Sequence, residues 1–255
     1  MKQAVKKAAL PLVLFAVFIA VWQAVCVKGG VSPILLPSPA DTFAYLVSST
    51  REGLLPEAVL VTLSRIFLGY TIAVLLGLLF GVLMHASTAF KSTVKPVALG
   101  LQTLPSICWA PLAILWFGQS EAAMYFVVIM GSVWAVCLSA EDSIRSVPAL
   151  YIKAAKVMGA GKAELFKSVI IPAAMPGILS GAKLGWAFAW RSLMSAEIYI
   201  LITEHAGLGQ LLHFGRELNA TDQVMAVMAV IIVIGFLSDR LIFVPIENRM
   251  RRVRG

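Results

Sequence analysis

Residues 158–166, MGAGKAELF, hold the glycine and lysine types that cradle phosphate, yet the arrangement is wrong for that chemistry. The first glycine of a phosphate loop is missing at the required distance, Ala163 stands where Ser or Thr should follow Lys162, and no strand precedes it. GLGQ, at 207–210, lacks the third glycine of a dinucleotide fingerprint and follows a long apolar run. His85, His205 and His213 are scattered, with neither a paired nucleophile nor metal-ligand spacing. Cys26, Cys108 and Cys137 each sit in an apolar run far from the others, so they read as small buried hydrophobes. The expectation is a chain with no catalytic residues, no metal and no cofactor of its own.

Charge in apolar surroundings is what remains. Arg191 and Glu197 fall inside an apolar run, where a charge at the centre of a membrane helix costs about 3 kcal/mol even on a lenient insertion scale. Six residues apart, they are separated by about 600° of helical rotation and do not share a face cleanly. Two readings stand. In one, Glu197 reaches headgroups or water while Arg191 pairs with a backbone carbonyl or another span. In the other, Arg191, with Ser192 and Ser195 nearby and Gln102 and Ser106 on an earlier span, lines a path that favours a small anion, and Glu197 belongs to the same path. Lys183 lies nearer a helix end and can snorkel. Trp186, Phe188 and Trp190 read as packing or interface groups.

The elements that must position these residues follow from composition. Of 255 residues 60% are hydrophobic and 13% charged, and the mean hydropathy is +0.89. A chain of this size cannot hide so much apolar surface in a soluble core, so it reads as an all-α integral membrane protein. The net charge of +8 reads as orientation and lipid contact rather than nucleic-acid binding. Six spans are expected, at about residues 8–27, 57–84, 96–117, 122–140, 177–202 and 223–244, the first close to the ~20 residues that cross a bilayer and the second long enough to begin as an interfacial helix. MKQAVKK and the apolar stretch after it imitate a secretory signal, but the stretch is too long and reads as a retained first span.

Between the first two spans, Gly29, Gly30, Pro33, Pro37 and Pro39 mark a stretch in water. Gly77 and Gly81 share a face of span two, and Gly177, Gly181 and Gly185 a face of span five, which predicts close helix crossings. The spacing does not say whether the second set meets another subunit or span two or three. Pro105 and Pro111 predict an interrupted, kinked span three, the kind of break that frees backbone for a cavity. Lys and Arg crowd one side (Lys2, Lys6, Lys7, Lys91, Lys95, Arg145, Lys153, Lys156, Lys162, Lys167 and the basic tail). Only Lys28, Arg51 and Arg216 fall on the other, with Arg65 near the boundary. The positive-inside rule then places both termini and the loop at 141–176 in the cytoplasm.

That loop contains KAAKVMGAGKAELFKSVIIP, residues 153–172. Ala154 and Ala155 allow close approach to a partner, and Gly159 can take the positive φ that ends a helix. A second short helix over 162–168 is expected to put Leu165, Phe166 and Val169 on one side. From the residues alone it could dock on a protein groove or lie on headgroups. The spacing of the alanines, Gly159, Val169, Ile171 and Pro172 resembles the coupling loop of the membrane subunits of binding-protein-dependent ABC importers. In that family the pattern is Glu-Ala-Ala, three residues, Gly, nine residues, Ile, one residue, Leu-Pro. The family's Glu stands as Lys153 here, which calls for a different partner geometry at that contact. LPSP at 36–39 and QTLPSICWAPLAILWFG at 102–118 resemble the nitrate, sulfonate and taurine branch.

The resemblance covers nearly the whole chain. It implies a single permease domain of type I importer (MetI-like) architecture in the bacterial inner membrane. Its partners would be a second permease copy, two ATPase subunits that hold ATP and Mg2+, and an extracytoplasmic binding protein. ATPase docking would fall to Lys153, Ala154, Ala155, Met158, Gly159, Ala160, Lys162, Leu165, Phe166 and Pro172. The competing class is a secondary transporter or channel using Arg191 and Glu197 without an ATPase.

Overall fold

The computed structural model describes residues 2–30, 32, 34–202 and 205–253. Side chains of Lys2, Lys6, Lys7, Arg251 and Arg254, used above for orientation, lie outside the described part, as do Pro33 and Glu204. All regular structure among the described residues is helical: α1 (Lys2–Lys28), α2 (Pro39–Arg51), α3 (Leu54–Ala86), α4 (Thr88–Thr103), α5 (Trp109–Phe117), α6 (Glu121–Arg145), α7 (Ala149–Val157), α8 (Lys162–Leu165), α9 (Ile171–Tyr199), α10 (Leu208–Glu217), α11 (Thr221–Ser238) and α12 (Val244–Val253).

Helix starts are set by local chemistry. Ser38 accepts from the Asp41 N–H at 3.1 Å while the Asp41 carboxylate accepts from the Ser38 N–H at 3.2 Å, a reciprocal capping box ahead of Pro39. Ser87 and Ser120 cap α4 and α6 in the same way, each accepting from the amide three residues on.

Among the described residues four helices are long and apolar enough to cross a membrane: Leu54–Ala86, Glu121–Arg145, Lys162–Tyr199 and Thr221–Met250. A fifth candidate is the pair Thr88–Thr103 and Ser106–Phe117, bent by 98°. The break falls at Leu104 and Pro105, as the proline predicts, but Pro111 causes no second kink. It sits in the first turn of α5, where a missing N–H costs nothing. The expected first span lies in α1, whose apolar part among the described residues is Val13–Lys28.

Two helices run past the ends expected of their spans. α6 runs on through Glu141, Asp142 and Arg145, which were expected in the loop, because ion pairs neutralise those charges in its last turn. The separate short helix expected over 162–168 is instead the start of a continuous helix. α8 passes through a π-helical turn, Phe166–Ile170, into α9, making one helix of 38 residues, Lys162–Tyr199. The wider turn lies just ahead of Pro172, where a regular α ladder would need a donor that proline lacks.

α6 is the axis of the bundle. More than half of its apolar window (56%) is buried within the protein, against 17–28% for the other three long helices. Its flanks are tight because glycines face it from both sides. A Cβ on Gly77 of α3 would lie 2.8 Å from Val136 Cβ, and one on Gly81 2.6 Å from Ala140 Cβ. On the opposite flank Gly177 and Gly181 of α9 abut Ser143 and Ser139. The α9 glycines therefore pack on span four, a partner the sequence reading had not considered.

Candidate functional site: coupling segment and central pocket

The α7 end of the bundle carries residues 153–172, the segment whose spacing resembles a coupling loop. Pro148 opens α7, and a Schellman turn closes it. Gly159 takes φ +87°, its N–H donates to Lys156 O at 3.0 Å, and the Ala160 N–H donates to Ala155 O at 3.0 Å. The positive φ expected of Gly159 is thus required by the turn.

Residues of the segment divide by exposure. Ala155 and Leu165 are buried with Ile144, Val147, Ile170 and Ala174, and Ala160, Phe166 and Val169 pack against them. The Leu165–Phe166–Val169 face therefore packs the elbow against its own helices, with Phe166 and Val169 half-buried. Lys153, Ala154, Met158, Gly159, Lys162 and Pro172 remain exposed. Beside them Leu150, Tyr151, Val157 and Met158 form an apolar edge, with Val157 89% and Met158 80% exposed. Sequence reasoning missed Leu150, Tyr151 and Val157, although positions 150, 154, 157 and 158 are one helical face at three- and four-residue spacing.

Two ion clusters clamp the ends of α6. Near α7, the Glu141 carboxylate, 1% exposed, lies 2.6 Å from both Lys91 Nζ and Lys95 Nζ, and Asp142 accepts from Lys95 and Arg145 at 3.0 and 2.8 Å. Near α10, Arg65 of α3 is enclosed and reaches two carboxylates. Its Nε donates to Glu121 at 3.0 Å, its Nη1 to Glu197 at 3.0 Å, and its Nη2 to His205 O at 2.9 Å. Removing one partner of such a buried pair costs roughly 3–5 kcal/mol, because the other charge is left uncompensated. Arg65 was expected near the membrane boundary. A signal for the cluster existed: an up-down reading of the spans brings Arg65, Glu121 and Glu197 to one end.

The central pocket, about 270 Å³, lies where the bent pair meets α6 and α9. Its wall includes residues 101–106, the backbone freed by the break at Pro105, facing Met130, Gly131, Phe188 and Arg191. Gln102, Ser106 and Arg191 thus come together from helices distant in sequence. Arg191 is exposed, its Nε donates to Ala187 O at 3.0 Å, and its guanidinium lies 4.8 Å from the Phe188 ring centre. Ser195 sits one turn further along and donates to Arg191 O at 3.0 Å. Glu197 is apart from the pocket, fully enclosed in the Arg65 cluster. A cation on a stacked ring beside hydroxyl and amide groups can select a small anion by charge and hydrogen bonding.

A helical bundle with a bent helix pair, a basic elbow and a pocket bearing Arg191 fits a membrane transport subunit. Residues 73–252 match the family described as the binding-protein-dependent transport system inner membrane component. The chain belongs to that family: it is a multi-pass permease subunit of an ABC importer in the inner membrane, and not its catalytic subunit. It is 31% identical over 239 residues to the taurine transport system permease protein TauC of Escherichia coli, covering 92% of this chain and 86% of that one. It is 32% identical over 231 residues to the putative aliphatic sulfonates transport permease protein SsuC of Bacillus subtilis, covering 91% and 83%. Among solved structures, an amino acid ABC transporter superposes with a TM-score of 0.66 over 80% of this chain and 97% of that one, at 21% identity, a likeness of fold.

Proposed function

We propose that residues 1–255 act as one permease domain with six spans and both termini in the cytoplasm, importing a small anion such as taurine, another aliphatic sulfonate or nitrate. The observation that carries this reading is the convergence of Arg191, Gln102 and Ser106 on one pocket beside the broken span. Ser195 extends that polar line by one turn, and Glu197 acts on the path by fixing the end of α9. Relatives named for taurine and aliphatic sulfonates support the substrate class.

Two ATPase subunits, which hold ATP and Mg2+, dock on the exposed edge of α7 and the Gly159 turn. A second copy of this chain completes the pathway, and an extracytoplasmic binding protein delivers the anion. Closure of the ATPase pair draws the two elbows together. Because α8 is continuous with α9, a push on residues 153–172 moves the helix that carries Arg191 directly. The decisive experiment is sulfonate uptake by the complex reconstituted in liposomes. Arg191→Ala should cut uptake about tenfold or more, the loss of one charged hydrogen-bonding partner, while the complex still assembles. Unchanged uptake returns Arg191 to a packing role.

A further inference from the structure

GLGQ, 207–210, is neither a nucleotide loop nor plain linker. The Gly209 N–H donates to Glu197 Oε2 at 2.8 Å, and the Leu208 N–H donates to Thr62 Oγ1 at 2.9 Å. The Thr62 hydroxyl in turn donates to the Glu197 carboxylate at 3.0 Å. Gln210 closes the turn, accepting from the Gly207 N–H at 3.0 Å and donating to Ile200 O and Ile202 O at 3.3 Å. The glycines are required by proximity, since a Cβ on Gly209 would lie 2.6 Å from Glu197 Cβ. The first turn of α10 is therefore seated on a buried carboxylate in the last turn of α9, held from behind by Arg65.

The far end of α10 is open: Phe214, Arg216 and Glu217 of its last turn and Leu218 at its C-cap are exposed. Apolar packing already staples α10 to the bundle, Leu208 and Leu211 lying with Leu55, Ala58 and Val227, so a buried Arg–Glu cluster with its desolvation cost is not needed for attachment alone. What the polar cluster adds is directional attachment, with each donor meeting one acceptor. Glu197 lies on the same helix as Arg191, six residues away.

We propose that Glu197 is a positioning residue, the strut that makes α10 and α9 move together, so that contact by the binding protein on the exposed C-terminal end of α10 shifts the helix bearing Arg191. This rests on the importer reading, with α10 on the outer side. Thr62 is the element to test, because its hydroxyl bridges α3, α9 and α10 at once.

The test uses the full complex in lipid nanodiscs, with the rate of ATP hydrolysis measured with and without anion-loaded binding protein, and hydrogen exchange followed at residues 208–211. Thr62→Val should raise exchange there and lower the stimulated-to-basal ratio about tenfold or more, the worth of one hydrogen bond to a charged group. The basal rate should stay unchanged, and Thr62→Ser should restore the ratio. Glu197→Gln should lower the ratio in the same direction. Wild-type stimulation in Thr62→Val overturns the strut, whether exchange rises or not; if Glu197→Gln fails to assemble, Thr62→Val decides alone. A wild-type complex that the binding protein does not stimulate instead overturns the importer reading, and the strut with it.

Discussion

Val136 of α6 fills the space left by Gly185 of α9: a Cβ on Gly185 would fall 2.6 Å from Val136 Cγ2. The same valine meets Gly77 of α3 on its other flank, so three long helices are in register through one side chain. Without a hydrophobic driving force between helices in lipid, close packing of this kind is what holds them together.

Gly185→Val should therefore destabilise the bundle by roughly 1–3 kcal/mol, the usual cost of overpacking. Thermal unfolding in detergent measures this. Adding Val136→Ala should recover part of the loss, since the two sites are in contact and their effects are not additive. Full additivity would show that the crossing is looser than described.

The Schellman turn makes a sharper prediction. Proline needs φ near −65° and has no N–H, whereas Gly159 has φ +87° and donates to Lys156 O. Gly159→Pro should abolish stimulation of ATP hydrolysis by substrate, with the permease still folded by gel filtration and circular dichroism. Intact stimulation would remove the docking role from this elbow.

On the neighbouring edge, Val157 and Met158 are exposed apolar side chains with few contacts of their own to lose. Val157→Asp with Met158→Asp should leave the thermal midpoint of the isolated permease unchanged. Affinity for the ATPase should fall by about 30-fold or more, as expected when one interface hot spot of some 2 kcal/mol is lost. Retention of the ATPase on immobilised permease is the readout.

Much was legible in the sequence because each signal was local. Membrane solvent followed from hydropathy, the break at Pro105 from a missing donor, the Gly159 turn from a conformation that favours glycine, and the family from the spacing of 153–172. Glycine stripes announced close crossings as well, since four-residue spacing defines a helix face whatever lies opposite.

Tertiary structure alone decided what lay opposite. That α9 and α3 both close on α6, that Leu165 and Phe166 turn inward, and that Arg65 meets Glu121 and Glu197 depend on how helices far apart in sequence are laid side by side. Periodicity gives a helix a face but not a neighbour. Buried charges show this most plainly: Arg65 and Glu197 are each costly alone and become tolerable only when the fold brings them within 3.0 Å of one another, with the half-exposed Glu121 on the outer side of Arg65.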